Sequence, residues 1–188
     1  MSLAMELAAM SCRTLLVVVF AVAVVGKASG AESFGAFVRS VQEFVRSASP
    51  SRGRGVAHLV VGAEAVGIVL LLLPAPAAIA GFALVGCLLG AFTLAIAASL
   101  RRGARVPCRC FGASTSNAGP LQLVRNGLLM AAAVTGAVGT SNGPPEAPGA
   151  VAVALATGLV VGVVVTVLDD ISELLRDAFP VAARKARR

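Results

Sequence analysis

The chain has 188 residues, of which 57% are hydrophobic and only 13% charged, with a mean hydropathy of +0.90 and a formal net charge of +7. Soluble domains carry about 25% charged and about 45–50% apolar residues, so this composition excludes a water-soluble globular protein and makes lipid the solvent for much of the surface. Nucleic acid is excluded as the partner of the basic excess, because the charges fall between apolar runs with no interleaved aromatics, and Trp and Tyr are absent.

A helix crosses the hydrocarbon core with about 20 apolar residues. The first candidate span is "TLLVVVFAVAVVG" (14–26), short unless its ends extend. It has a second reading as a cleaved signal peptide, since "ASG" (28–30) supplies small residues after an apolar core, but Glu6 and a single basic residue, Arg13, make a poor leader. Next, in "ESFGAFVRSVQEFVRS" (32–47), Phe34, Phe37, Val38, Val41, Phe44 and Val45 recur at spacings of three and four. Glu32, Arg39, Glu43 and Arg46 fall elsewhere. That pattern predicts an amphipathic helix lying in the membrane interface.

The second and third spans, "VAHLVVGAEAVGIVLLLL" (56–73) and "AAIAGFALVGCLLGAFTLAIAASL" (77–100), are separated only by "PAP" and predict an antiparallel hairpin. A fourth span, "LQLVRNGLLMAAAVTGAVG" (121–139), and a fifth, "GAVAVALATGLVVGVVVTVL" (149–168), follow. The expected fold is therefore all-α: a polytopic membrane bundle of four core helices plus a fifth. It divides into residues 1–139, a loop and additional span at 140–168, and an amphipathic basic tail at 169–188 whose "ARKARR" favours anionic lipid.

With five spans, the segments 27–55 and 101–120 and the C-terminal tail share one side. That side holds fourteen of the Lys and Arg residues, against Arg13 alone on the other, while Arg125 lies inside the fourth span. The asymmetry predicts a multi-pass cell-membrane protein with the 101–120 loop and C-terminus cytoplasmic.

The chemistry gathers on that same side. Lys27 closes the first span, Glu64 lies inside the second, and Arg125 and Asn126 lie about one turn inside the fourth. A charge within a span costs about 2.5–3.5 kcal/mol on insertion scales, so each needs a partner or a role. Glu64 could pair with Lys27 or with Arg125 simply to lock helices, or these groups could form a polar floor beneath a reactive site. The reactive candidates are Cys108 and Cys110 in "RRGARVPCRCFG" (101–112). Nearby arginines favour thiolate, the form that attacks disulfides or binds metal. A disulfide across one residue is strained and easily reduced, which suits exchange better than a permanent staple. A structural zinc site wants four ligands, and only His58 and Cys87 remain as extras, so neither a metal nor another cofactor is expected. Cys12 and Cys87 read as small apolar residues.

These residues together resemble the methylamine-utilisation MauE family, within a wider DoxX-like group. The resemblance rests on "FAVAVVGK", the Phe-bearing interfacial segment, "GAEAVGIVLLLL", "RRGARVPCRCFG" and "LVRNGLL", over about 13–139. It implies a membrane component linked to thiol–disulfide chemistry and to maturation of methylamine dehydrogenase or of other disulfide proteins, working with a thioredoxin-like partner or a client. It carries Cys108 and Cys110 over as the redox pair, with Glu64, Lys27, Arg125 and Asn126 in support. The family commonly has Gly between the cysteines, where this chain has Arg109. Maturation of an exported subunit calls for chemistry outside, whereas the arginines place the pair inside. The competing readings are a non-catalytic scaffold and, less favoured for want of internal repeats, a small-molecule transporter.

Overall fold

A computed structural model describes residues 3–45, 50–103, 120–140 and 147–178, the stretch 168–178 through its backbone. The described residues form six helices: α1 (Leu3–Ala28), α2 (Ala31–Val45), α3 (Pro50–Leu72), α4 (Ala75–Arg101), α5 (Pro120–Thr140) and α6 (Pro148–Ala178). Five are long and apolar enough to cross a membrane, as the sequence leads one to expect, and α2 is the interposed amphipathic helix.

The helix ends depart from the expected spans. α1 begins at Leu3 rather than near residue 14, because "LAMELAAM" is built of strong helix formers and continues the apolar stretch upstream. Arg13 therefore sits inside a long helix. α3 begins at Pro50 rather than at 56, with proline in the position that initiates helices most easily. Backbone α6 runs through residue 168 to Ala178 without a break, so the fifth span and the start of the tail are one helix.

α1 is the centre of the bundle, in contact with α2, α3, α5 and α6, while α4 packs against α3 and α5. Its inward stripe is Leu16, Phe20, Ala23 and Lys27, spaced four, three and four apart, the period that keeps one seam facing neighbouring helices. Phe82, Val85 and Leu89 of α4 and Leu129 and Ala133 of α5 complete the core. The outward faces of α3 to α6 remain apolar and exposed, from Leu59 and Val69 to Leu94, Leu128 and Val160, as a lipid-facing surface requires.

Association between helices in lipid lacks a hydrophobic drive and depends on close backbone approach at small residues. At one end of the bundle this approach is tight. A Cβ on Gly81 of α4 would stand 2.8 Å from the backbone nitrogen of Leu71, so α3 and α4 touch beside the PAP turn. Gly139 of α5 backs onto Met5 and Ala9 of α1 in the same way. α6 is held by Gly158 and Gly162, whose absent side chains make room for Ser11, Thr14, Leu15 and Val18 of α1. Ser11 adds a hydrogen bond from its hydroxyl to the Ala154 carbonyl at 3.1 Å.

At this end too, Arg13 donates from Nε to the Leu71 carbonyl and from Nη2 to the Leu73 carbonyl. The last carbonyls of a helix have no partners within it, and here Pro74 and Pro76 supply no N–H groups. Arg13 fills that gap and fixes the level of α1 against α3.

A side chain at Gly158 has nowhere to go, since its Cβ would lie 2.4 Å from the Ser11 carbonyl oxygen. Gly158→Ala is expected to destabilise the α1–α6 contact by about 1–3 kcal/mol, the usual range for overpacking. The effect reads as a lowered thermal midpoint in detergent. Gly149→Ala, in the same helix but facing open space, should leave the midpoint unchanged.

A candidate polar site at one end of the bundle

The end opposite the PAP turn carries the polar interior. Gly139 meets the start of α1, so the start of α5 lies at the end of α1. Lys27 occupies the last turn of α1, Ser99 the last turn of α4, and Gln122 and Asn126 the first two turns of α5. Each holds an inward position on a stripe that is otherwise apolar: Gln122, Asn126, Leu129 and Ala133 step by four, three and four. The core therefore changes from apolar to polar along its own seams, and all four residues are buried.

Glu64 reaches this layer from α3. It lies fourteen residues past the start of that helix, about 21 Å along its axis, and so deeper than a helix starting at 56 would place it. Arg13 registers α1 against Leu71 and Leu73, which leaves the Lys27 Cα roughly 10 Å beyond that of Glu64 along the axis. Side chains lean toward the N-terminus of their own helix, and these two helices run antiparallel. Lys27 therefore leans inward, Glu64 leans outward, and the two long side chains meet between their Cα levels.

They form an ion pair with Nζ 2.5 Å from Oε1, at 1% and 0% side-chain exposure. Glu64 thus pairs with Lys27, one of its two expected partners. The ammonium is further covered by the rings of Phe37 and Phe92, whose centroids lie 5.1 and 5.7 Å away. Those faces carry partial negative charge and favour a cation. Position helps as well, because a cation in the last turn complements the dipole of α1. The second carboxylate oxygen, Oε2, and both amide atoms of the fully buried Asn126 have no hydrogen-bond partner among the described residues. Arg125, beside Asn126, is half-buried on the adjoining face of α5.

α2 roofs this region. Phe37, Val38 and Val41 face inward with Ala57 of α3, and Arg39 and Glu43 face out. His58 of α3 is used locally: its Nδ1 lies 2.9 Å from the Arg54 carbonyl oxygen, and its ring is tilted against Phe34 at 4.6 Å. Cys87 is exposed in the middle of α4 and Cys12 is half-buried in α1, both as free thiols. Cys108 and Cys110 lie outside the described residues. Chain length still limits the first of them, because five residues past Gly103 reach at most about 18 Å.

Sequence reasoning did not find Ser99 and Gln122, nor the capping role of Arg13. The first two were legible as polar residues on inward stripes. The last needed the register of α1 against α3.

Five long apolar helices around a sealed Lys–Glu pair define an integral, multi-pass helical membrane protein. The family described as methylamine utilisation protein MauE matches residues 5–139, and the chain belongs to that family. The match takes in α1 to α5 and the 104–119 segment, and it ends before α6. No curated protein and no solved structure matches the chain.

Removing one partner of a buried pair strands the other charge and costs about 3–5 kcal/mol. Glu64→Gln should accordingly lower the thermal midpoint sharply. Adding Lys27→Met should restore much of the loss, whereas adding Arg125→Gln should restore none. Equal midpoints for Glu64→Gln with and without Lys27→Met would show that the pair does not govern stability.

Proposed function

We propose that the protein is a membrane thiol–disulfide component in which Cys108 and Cys110 are the redox pair. The observation that carries this reading is the family match, which spans the C-x-C segment and the Lys27–Glu64 pair together. In the proposed exchange, a client thiolate attacks the Cys108–Cys110 disulfide, giving a mixed disulfide and one freed thiolate. A second client thiolate then displaces the other cysteine. The client gains a disulfide and the pair takes up two electrons as a dithiol. A thioredoxin-like partner in its disulfide form reoxidises the dithiol by the same two steps in reverse.

The family name points to methylamine dehydrogenase as one client, and other disulfide proteins fit the same chemistry. Lys27, Glu64, Arg125 and Asn126 act as positioning residues: they set the end of the bundle to which 104–119 is tethered through α4 and α5. Arg105 and Arg109 favour the thiolate form of the pair, the leaving group in exchange with the client and the attacking group in its reoxidation. A second reading, a non-catalytic assembly scaffold, is favoured by the complete burial of the ion pair, which suits a purely structural lock.

Thiol titration separates the two. Under the redox reading, Cys108 or Cys110 alkylates appreciably below pH 8, whereas an ordinary thiol has a pKa of about 8.5, and Arg105→Gln with Arg109→Gln shifts the titration upward. Each Cys→Ser variant should trap a mixed disulfide visible on a non-reducing gel. Full activity in both Ser variants, with no redox-dependent mobility shift, gives the scaffold reading.

Orientation is part of the proposal, with the 101–120 loop and the C-terminus cytoplasmic on the strength of the arginine asymmetry. In a background without native cysteines, Ser51→Cys should resist an impermeant maleimide added outside intact cells, and Ser141→Cys should label. Labelling of Ser51→Cys from outside reverses the assignment and puts the redox pair with exported clients.

A further inference from the structure

The α3–α4 hairpin is closed at one end and open at the other. Near the PAP turn the two helices touch through Gly81, and one turn further a Cβ on Gly67 would meet Val85 at 3.0 Å. Toward the far end the two helices leave a space between them, bordered by Val56 and Val60 of α3 and by Ala91, Phe92 and Ala95 of α4. α2 lies over the opening without filling it. A cavity of about 180 Å³ remains, walled by Phe37 and Phe44 of α2, Val56 and Val60 of α3, and Phe92 and Ile96 of α4. Ser40 gives it one hydroxyl. Ala91 on its edge is exposed, and Val56, Val60 and Phe92 are only half-buried, so the space opens to the surroundings of the bundle.

Its rim is cationic. Arg52 lies one turn before Val56, and Arg102 lies two turns beyond Ala95 on the cavity-lining face of α4, with Arg54 and Arg101 nearby, all exposed. The acids of α2, Glu32 and Glu43, are outnumbered by these four and Arg39. At 1.5 Å per residue the Cα levels of Arg52 and Arg102 stand about 6 and 9 Å beyond those of Val56 and Ile96. An occupant must then carry an apolar chain and, within that distance of its start, a negative charge with oxygens suited to guanidinium groups.

We propose that this cavity is a lipid site that takes one acyl chain of an anionic phospholipid, with its phosphate held at Arg52 and Arg102. The assignment stands on the cavity and its rim alone and does not depend on thiol chemistry at Cys108 and Cys110. Phe37 and Phe92 are shared: each lines the cavity on one side and covers the Lys27 ammonium on the other. A chain seated there packs against the aromatic cover of the ion pair from the cavity side.

The absence of Trp makes the test direct. The full chain carrying Phe44→Trp, reconstituted in phosphatidylcholine vesicles with a small fraction of acyl-brominated phosphatidylglycerol, reports lipid contact with the wall through quenching. Leu128→Trp, exposed on the outer face of α5, reports the bulk lipid annulus. Brominated phosphatidylglycerol is expected to quench Phe44→Trp at a several-fold lower fraction than brominated phosphatidylcholine, with little difference at Leu128→Trp. Ala95→Leu, which fills the cavity, and the pair Arg52→Gln with Arg102→Gln should each abolish the preference at Phe44→Trp while helicity by circular dichroism is kept. Equal preference at the two tryptophans, or a preference that survives Ala95→Leu in a folded protein, overturns the proposal.

Discussion

The sealed Lys27–Glu64 pair is the constraint around which the bundle is arranged. Neither charge is tolerable alone at that depth, and together they must be held at hydrogen-bonding distance by elements remote in sequence. Three features serve that end. Arg13 sets the axial register of α1 against α3, the antiparallel lean of the two side chains closes the offset, and α2 with Phe92 covers the ammonium. The interfacial helix is thus more than an anchor, since its Phe37 joins Phe92 of α4 in covering the Lys27 ammonium.

The two ends of the bundle solve different problems. Around the PAP turn, glycines bring backbones together until no side chain fits between them, and the polar devices, Ser11 and Arg13, are spent on main-chain carbonyls. At the other end the helices part, and polar residues take over the inward positions of the same seams. It is physically reasonable that interior charge sits there, because separation of the helices gives long side chains space to find one another. A glycine-sealed contact gives none.

Much of this was legible in the sequence, and the exceptions have identifiable causes. Five apolar runs and the three- and four-residue spacing of Phe34, Phe37, Val38 and Val41 define five spans and an interfacial helix without any structure. Glu64 and Lys27 stand out because charge inside an apolar run is costly. The choice between Lys27 and Arg125 as partner was not legible, since it depends on side-chain lean and axial register, which no one-dimensional pattern carries. The true start of α1 was obscured by Glu6 and Arg13, which lower hydropathy locally although the residues around them favour helix. "GLVVG" at 158–162 has the spacing of a close-approach motif and could have been read as the dock for α6. Arg13 looked like an exception to the charge asymmetry because its partners are main-chain carbonyls, invisible to any reading of side-chain types.

That last point bears on orientation. A basic residue counts toward topology when it remains a solvated charge at a membrane surface. Arg13 instead lies within a helix and is engaged with the end of α3, so the PAP-turn side loses the one cation that opposed the arginine-rich side. The proposed cytoplasmic 101–120 loop is therefore not opposed by a solvated cation at Arg13. α6 is compatible with the same arrangement: it docks on α1 through Gly158 and Gly162, while the cavity lies between α2, α3 and α4. The helix that lies beyond the family match thus reinforces the central helix and leaves the polar end, and whatever binds there, as the first five helices make it.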